Sequence, residues 1–488
     1  RVALLYTWNG LKRTEVEEAR AGDVIAIDGG THDELLSVPH DLTLRGNATL
    51  RTELRPDPAS TLGTNGVVYA APGVVLTVES VDVVGANTRG FYGDTDSSLQ
   101  LLDVYIADSA ITDAGGGVWS DGDVDATDLS LFNVHALDFG GGLWVSGDLT
   151  CSSCSFALVD VVGTGGAIFH LGDVLRLVDV EYYATADNGF AGGVYTSSSS
   201  AELVRNHACG VNGLLFGAGG GGSVRASGVV GNGGPAAFAL VSSPGLTWEL
   251  DHVTARDHQA ALLTYDIRYV PALRDTATGD SALPPIDTAS APGTVSVTNS
   301  LFVDNDSLMV PFYGDPILLL PTFDHIAYDV TLDPSVVVTN SVSEVDVRFQ
   351  YPVLVPWIVM PEQNPLSCPI EWFLPTYDAE VIDAGSGYDP DGSIADIGAS
   401  GGPDTWPAFH TDGDGDGYTL AKDCNDDEVL AYPYAYEVCD GVDNDCNFVT
   451  DQDAIDQPTW FPDNDDDGYG DGQSPADSGL TQCFPPDP

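Results

Sequence analysis

Basic residues are scarce in this sequence, and lysine is almost missing. The 488 residues contain two lysines, Lys12 and Lys422, and lysine plus arginine number 16 against 74 aspartates and glutamates. The formal charge is −58. Because nucleic acids and anionic membranes are also negative, this charge argues against both as partners.

Long apolar runs are missing as well. The longest candidate, residues 351–360, is broken by Pro352 and Pro356 and is far shorter than the roughly 18 residues of a membrane helix. We therefore predict no membrane span. The chain begins at Arg1 without a signal-peptide pattern, and we interpret it as a mature chain whose export signal has been removed.

The remaining composition favours a folded, strand-rich protein. Hydrophobic residues make up 43% of the chain and glycines number 55, while the good helix formers lysine, glutamate and glutamine are rare. The apolar content is enough for a sizeable core, so disorder of the whole chain is excluded in spite of the charge.

Aromatic residues recur through the first half of the chain. They are separated by 21 to 27 residues, with short alternating apolar runs between them, and Gly-Asp pairs at 122–123, 147–148 and 172–173 keep the same period. The recurring positions are Tyr69, Tyr92, Trp119, Trp144, Phe169, Tyr195, Phe216 and Phe238.

Short strands at this period predict a parallel β-helix, in which each coil stacks on the next and like side chains form ladders. The aromatic residues would form one ladder, and glycines would occupy the corners. A β-propeller is disfavoured, since its blades need about 40 residues or more. The fold class is therefore all-β.

Composition divides the chain near residue 404. Residues 1–403, here called the body, hold the repeats, with irregular insertions within 271–375. Residues 404–488, here called the tail, carry 22 acidic residues against Lys422 alone, and we divide the tail into 404–456 and 457–488. The proline-rich segment Tyr351–Trp372 is predicted to cover one face of the β-helix or, if exposed, to dock a partner.

The strongest chemical motif lies at the start of the tail. Carboxylates at alternate positions, separated by glycines, can converge on one hard cation. The twelfth position of this loop is an aspartate, and a backbone carbonyl would supply a further oxygen. The predicted ligands are Asp412, Asp414, Asp416, the carbonyl of Tyr418, and Asp423.

A second copy of the loop follows 51 residues later, and a third acidic cluster lies between the two copies. In the second copy the twelfth position is Ser474, so its ligand set is less complete. Oxygen-only ligands favour calcium over zinc or copper. The second copy contributes Asp463, Asp465, Asp467, Tyr469 and Asp471, and the intermediate cluster contributes Asp440, Asp443 and Asp445.

The tail resembles the MopE-type metal-binding repeat of large secreted bacterial proteins. The resemblance rests on Asp412–Tyr418, Asp423–Asp427, Tyr432-Pro433 and Glu437–Cys446, and Pro458–Asp463 looks like the start of another repeat. It implies a secreted or cell-surface location, cation binding, and disulfides among Cys424, Cys439, Cys446 and Cys483. The family is named after a copper-binding protein, but His410 is the only imidazole nearby, so we expect calcium rather than copper.

Both ends of the body resemble those of secreted right-handed, pectate-lyase-like β-helix proteins. Residues 14–20 form an amphipathic pattern before the strand-like run 22–27, which implies an N-terminal capping helix. Residues 379–399 are similar to the closing coils of the same group. The resemblance implies a right-handed, single-stranded parallel β-helix and says little about activity.

Two further features have competing interpretations. Cys151 and Cys154 form a lone C-x-x-C, which without a second cysteine pair favours a local disulfide over a zinc site. Residues 251–258 alternate so that His252, Arg256 and His258 would meet on the outer surface. This patch is the candidate site for cleaving glycans, although an ordinary polar face is the simpler interpretation.

The sequence therefore favours a calcium-binding structural or adhesive protein of the bacterial exterior. Its partners would be Ca²⁺ and, through the proline-rich segment and the tail, copies of itself or components of the cell surface, including as a filament subunit. The alternative is a polysaccharide lyase or glycoside hydrolase built on the β-helix. The sequence names no catalytic residue firmly, and a non-enzymatic protein is the favoured prediction.

Overall fold

A computed structural model describes most of the chain, and every structural statement below concerns the described residues. These are residues 2–3, 16, 19–33, 35–56, 66–85, 88–185, 192–231, 233–242, 245–266, 293–309, 321–330, 332, 336–343, 345, 347, 349, 368–376, 379–447, 449–461, 463 and 480–484.

The body is a parallel β-solenoid, as predicted, and its coils contribute to two stacked sheets. In the described residues the large sheet has 22 strands and the small sheet has 10. The small-sheet strands are Leu36–Val38, Val68–Ala70, Phe91–Gly93, Val118–Ser120, Leu143–Val145, Ile168–His170, Val194–Thr196, Leu215–Gly220, Phe238–Ser242 and Leu262–Asp266.

Most coils cross the large sheet either with one long bent strand or with two shorter strands. The large-sheet strands are Val2–Ala3, Asp23–Ala26, Gly30–Asp33, Leu42–Arg45, Thr52–Arg55, Val75–Val84, Ser98–Ala110, Asp123–Ala136, Leu149–Ser152, Ser155–Val161, Val174–Val178, Glu181–Tyr183, Ser200–Val204, His207–Val211, Gly222–Gly231, Thr247–Arg256, Thr294–Thr298, Leu301–Val303, Thr322–Asp324, Ala327–Tyr328, Val338–Thr339 and Val342–Ser343.

Apolar ladders fill the interior of the solenoid. Leu99 pairs with Val124 and Val124 with Leu149, each one coil further along, and all three are buried. Burying one such side chain stabilises the fold by about 1.5–3 kcal/mol. The sequence repeat is therefore the repeat of the core.

The bend within the large sheet is made by residues other than glycine, contrary to the expectation for the corners. Asp103, Asp128 and Asp179 occupy equivalent positions and have φ of 52°, 55° and 56°. Aspartate tolerates the left-handed conformation better than most residues. Glycine does serve at a different corner, where a Cβ on Gly140 would lie 2.1 Å from the carbonyl oxygen of Leu143.

The predicted aromatic ladder forms on the outer side of the small sheet, except at its last member. Trp119 and Trp144 pair in register and stack with 4.7 Å between ring centroids. At the far end Phe216 pairs with Ala239, so Phe238 is one position out of register and points into the core. Because side chains alternate along a strand, a shift of one residue exchanges the two faces.

The N-terminal capping helix is not supported. Of residues 14–20, only Val16, Ala19 and Arg20 are described, and the remainder of the predicted helix lies outside the described residues. Val16 is buried against the core. Apart from the single helical residue Val16, the helical elements in the described residues are two short 3-10 helices, Ile370–Phe373 and Pro407–His410.

Coils continue through the irregular region. Val338 pairs with Phe323, which pairs with Val297, so the similar sequence runs 295–300 and 336–341 lie two coils apart in one stack. Most of the proline-rich segment lies outside the described residues. The residue that follows it does cover the large sheet: Phe373 packs against Gly228, where a Cβ would lie 2.3 Å from the Phe373 ring.

Disulfides connect residues both within a coil and across the sequence. Cys151–Cys154 is a local disulfide, as predicted, and Cys151 occupies a core ladder between Ala126 and Leu177. Cys209–Cys368 joins the large sheet to the segment that returns over it. The sequence did not identify this second pair.

Residues 379–402, which include the predicted closing coils, form turns and bends rather than strands, and buried carboxyl groups hold them. Asp389 accepts hydrogen bonds from the backbone N–H groups of Gly402 and Asp396. The side chain of Asp396 accepts the N–H of Asp383 through Oδ1, at 2.8 Å. Burial, together with the carboxylates of Asp389 and Asp383, raises the pKa of Asp396 to about 7.

Removing the Cys209–Cys368 disulfide should destabilise the chain more than removing Cys151–Cys154. The first spans 159 residues and the second spans 3, so the loss of unfolded-state entropy differs: roughly 5 kcal/mol against roughly 2 kcal/mol in the chain-entropy relation. We expect Cys209→Ala/Cys368→Ala to lower the urea midpoint more than Cys151→Ala/Cys154→Ala does. Equal shifts would contradict this ranking.

Replacing Asp396 should change how stability depends on pH. Its pKa in the folded chain is raised to about 7 from an ordinary value of 3.8. Its favourable contribution is therefore fully present below about pH 4 and is lost as the pH rises through 7. The melting temperature of Asp396→Asn should exceed that of the wild type by a margin that grows as the pH increases from 5 to 8. A constant difference in melting temperature over that range would show that the group does not titrate there.

Candidate metal centres

The first loop of the tail is shaped by glycine turns and by its own carboxylates. Gly415 and Gly417 have φ of 88° and 100°, a conformation that glycine adopts without a steric penalty. The Asp412 carboxylate accepts their N–H groups at 2.6 and 3.0 Å, and Asp416 accepts the N–H of Tyr418 at 2.8 Å. The sequence thus folds the loop around its acidic side chains.

Three predicted ligands converge in this loop. One carboxylate oxygen from each of Asp412, Asp414 and Asp416 lies within 4.8 Å of the others. Asp414 and Asp416 each have a second oxygen that is buried and lacks a donor among the described residues. Like charges at this separation repel one another strongly, so a cation between them would be stabilising.

Asp423, the predicted twelfth position, is the clearest sign of a ligand. Its residue is 0% exposed, and Oδ2 has no hydrogen-bond donor in the described residues. Burial raises its pKa to about 6, and the carboxylates of Asp416, Asp414 and Asp426 act in the same direction. An unpaired buried carboxylate is costly, which makes this atom a fitting cation ligand.

Two other residues complete the first loop. Asp426 is not among the ligands predicted from the sequence. Its carboxylate accepts the N–H of Gly413 at 2.8 Å, and its pKa is raised by burial and by Asp414 and Asp412. The ring of Tyr418 stacks on Tyr432 with 5.3 Å between centroids, which fixes the end of the loop. The assignment of the Tyr418 carbonyl as a ligand stays a prediction.

A second cluster forms between residues 437 and 445, with a different membership from the predicted one. Carboxylate oxygens of Glu437, Asp443 and Asp445 lie within 4.8 Å of one another. Asp440 is exposed, and its carboxylate accepts the N–H of Val442 and the side-chain amide of Asn444 instead. Asp440 is therefore not grouped with Asp443 and Asp445.

Glu437 resembles Asp423 in its surroundings. It is 4% exposed, Oε1 accepts the N–H of Asp445 at 2.8 Å, and the buried Oε2 has no donor among the described residues. Glu437 was not predicted as a ligand because it lies six residues before Asp443, and the burial that marks it is visible only in the structure.

Disulfides tie the two clusters together. Cys424–Cys446 connects the residue after Asp423 to the residue after Asp445, and Cys439–Cys483 joins the second cluster to the end of the described tail. All four predicted tail cysteines are therefore paired. Their sulfur atoms are not thiolates, so the donors of both clusters are oxygens.

The second copy of the loop is largely outside the described residues. Asp463 is described, whereas Asp465, Asp467, Tyr469 and Asp471 are not. The flanking strands Thr459–Trp460 and Leu480–Thr481 pair antiparallel. The ligand set of this copy stays a prediction.

The glycan-cleaving patch predicted on the outer surface does not form. His252, Arg256 and His258 are all buried, and Arg256 is only 7% exposed. Its guanidinium lies 3.8 Å from the Phe349 ring centroid and pairs with Asp304 at 3.2 Å. The segment that returns over the large sheet at Cys368 covers this face. Arg256 is therefore a packed side chain rather than part of an exposed site.

Comparisons with known proteins bear on the tail. Residues 423–452 match the MopE copper-binding family model, described as a "Putative metal-binding motif". A solved PL6 family polysaccharide lyase from Pseudopedobacter saltans aligns over 68% of this chain and 92% of its own, with 13% identity and a TM-score of 0.38. No curated protein matches the chain. None of the helices in the described part of the chain has the length and apolar character needed to cross a membrane. Because the family model matches residues 423–452, the tail contains a metal-binding motif that spans Asp423 and the second cluster.

Replacing Asp423 should have opposite effects with and without a cation. In chelator, Asp423→Asn removes a buried charge repelled by Asp414 and Asp416, so the melting temperature should stay equal or rise. In calcium, the variant should lose stabilisation of about 2.7 kcal/mol when the ion is at 100 times its Kd. Scanning calorimetry of the full chain measures both, and a drop of equal size in both conditions would indicate a purely structural role.

Proposed function

We propose that this chain is a calcium-binding structural protein of the cell exterior. The body would act as a stiff shaft, and the tail would hold ions in the loop 412–423 and in the cluster of Glu437, Asp443 and Asp445. The observation that carries this proposal is the pair of buried carboxylate oxygens, one in Asp423 and one in Glu437, that lack donors in the described residues.

Calcium is the proposed ion because the donors are hard oxygens. Copper would require imidazole or sulfur ligands, and the tail cysteines are consumed in disulfides. The nearby imidazole, His410, donates its Nε2–H to the carbonyl of Ser400 at 3.3 Å. Calcium also accepts the irregular, carboxylate-rich coordination that such loops provide.

An exterior location is supported by the four disulfides, since disulfides persist in oxidising compartments. The resemblance of the tail to repeats of secreted proteins supports the same location. Outside the cell, calcium is abundant enough to fill sites of modest affinity. Adhesion or assembly of copies into a filament would follow from a stiff body with an ion-dependent tail.

The proposal predicts a defined loss of ions in two variants. Calcium titration calorimetry on the chelator-treated full chain should give one fewer bound ion for Asp423→Asn and one fewer for Glu437→Gln, because each removes a buried ligand. Asp453→Asn is the matched control: it lies in the tail, is exposed and belongs to neither cluster.

Several results would overturn the proposal. The proposal fails if titrating the wild type with calcium produces no heat of binding, or if the number of bound calcium ions is unchanged in both variants. Retention of Cu²⁺ through dialysis without any response to calcium would assign the sites to copper instead.

Sedimentation with calcium and then with chelator tests assembly, and a filament subunit should dissociate when calcium is removed.

A further inference from the structure

The tail is packed onto the side of the body. Trp406 and Phe409 share an apolar cluster with Cys209 and Val230 of the large sheet, and Ala421 belongs to the same cluster. The Trp406 ring meets His207 edge to face, with 5.8 Å between centroids. The start of the tail therefore buries its apolar side chains against the solenoid.

Polar contacts surround this apolar contact between the tail and the body, here called the joint. Asp404 forms an ion pair with Arg225 at 3.1 Å, and Arg205 donates a hydrogen bond to the Asp404 carbonyl at 3.2 Å. Lys422 reaches the Asp391 carboxylate of the body at 3.4 Å. The only described lysine of the chain is thus used to hold the tail on the body.

The residues of the joint also form the base of the first loop, which we define as the two backbone segments 409–411 and 420–421 that pair where the loop begins and ends. The N–H of Ala421 donates to the carbonyl of Phe409 at 2.9 Å, and the N–H of Leu420 donates to that of Thr411 at 3.2 Å. The candidate ligands begin at Asp412, immediately after one side of this base, and end at Asp423, just after the other side. These two backbone hydrogen bonds form a short pairing between the sides, and a pairing this short is not stable by itself.

We propose that calcium binding in the loop 412–423 locks the tail onto the body. This inference rests on the proposed calcium site. When the tail leaves the body, Trp406, Phe409 and Leu420 lose the surface that aligns them, so the two sides of the base separate and the carboxylates separate with them. An ion that needs the carboxylates together therefore opposes undocking by mass action.

Hydrogen exchange of the full chain tests this coupling directly. If opening of the joint releases the ion, exchange of the backbone amides at 405–411 slows by the factor 1 + [Ca²⁺]/Kd, which is roughly 100-fold at 100 times the Kd. A plot of log rate against log calcium concentration then has a slope of −1 above the Kd. Amides of the strands Val118–Ser120 and Leu143–Val145 serve as internal controls and should not respond.

Variants identify which contacts produce the effect. Asp423→Asn should abolish the calcium dependence at 405–411, whereas Glu437→Gln should preserve it because its cluster is not at the base. Arg225→Gln should speed exchange at 405–411 in chelator without changing the slope. Arg176→Gln is its matched control. Arg176 pairs with Glu202, as Arg225 does, but the ion pair with Asp404 of the tail is formed by Arg225.

The outcomes separate this inference from the proposed function. If calorimetry shows calcium binding lost in Asp423→Asn, but exchange at 405–411 in the wild type is independent of calcium, the site exists and the coupling does not. If the dependence disappears in Glu437→Gln rather than in Asp423→Asn, the lock has been assigned to the wrong cluster. If the wild type binds no calcium, the proposed function itself fails.

Discussion

The in-register stacking of coils is the constraint on which the rest of the body depends. Backbone hydrogen bonds between successive coils place each residue about 4.8 Å from its counterpart. Leu99, Val124 and Leu149 gain from this arrangement because their side chains pack on one another away from water. The same arrangement penalises like charges, which would face each other at each step of the stack.

The body manages its acidity within that constraint. Arg51 lies between Asp82 and Asp103 of successive coils, and Glu202 lies between Arg176 and Arg225. Elsewhere the carboxylates accept backbone N–H groups: the N–H of Asp148 donates to Asp123, and that of Val174 donates to Asp148. The few arginines and the free N–H groups between coils thus compensate a strongly negative surface.

The tail has fewer positive partners, although Asp404 pairs with Arg225 of the body. It has one lysine and no stack of coils in the described residues, so its carboxylates turn to their own loops for N–H donors. Asp423 and Glu437 are each left with a buried oxygen without a donor. Disulfides replace the hydrophobic core that such a small region cannot build. A bound cation would supply the positive charge that these buried oxygens lack, which is the physical basis of the proposed calcium sites.

The sequence by itself determined whatever depends on local spacing. The period of about 25 residues predicted the solenoid and the register of Trp119 with Trp144, and the alternate spacing of Asp412, Asp414 and Asp416 predicted their convergence. Only the tertiary structure decided what depends on segments far apart in the chain: the Cys209–Cys368 disulfide, the covering of Arg256, and the choice of Glu437 over Asp440. Phe238 marks the boundary, because a shift of one residue in register, invisible in an approximate repeat, moves a side chain from the surface to the core. Periodicity is a local property that the order of residues records directly, whereas burial is set by which remote segment packs on a given face.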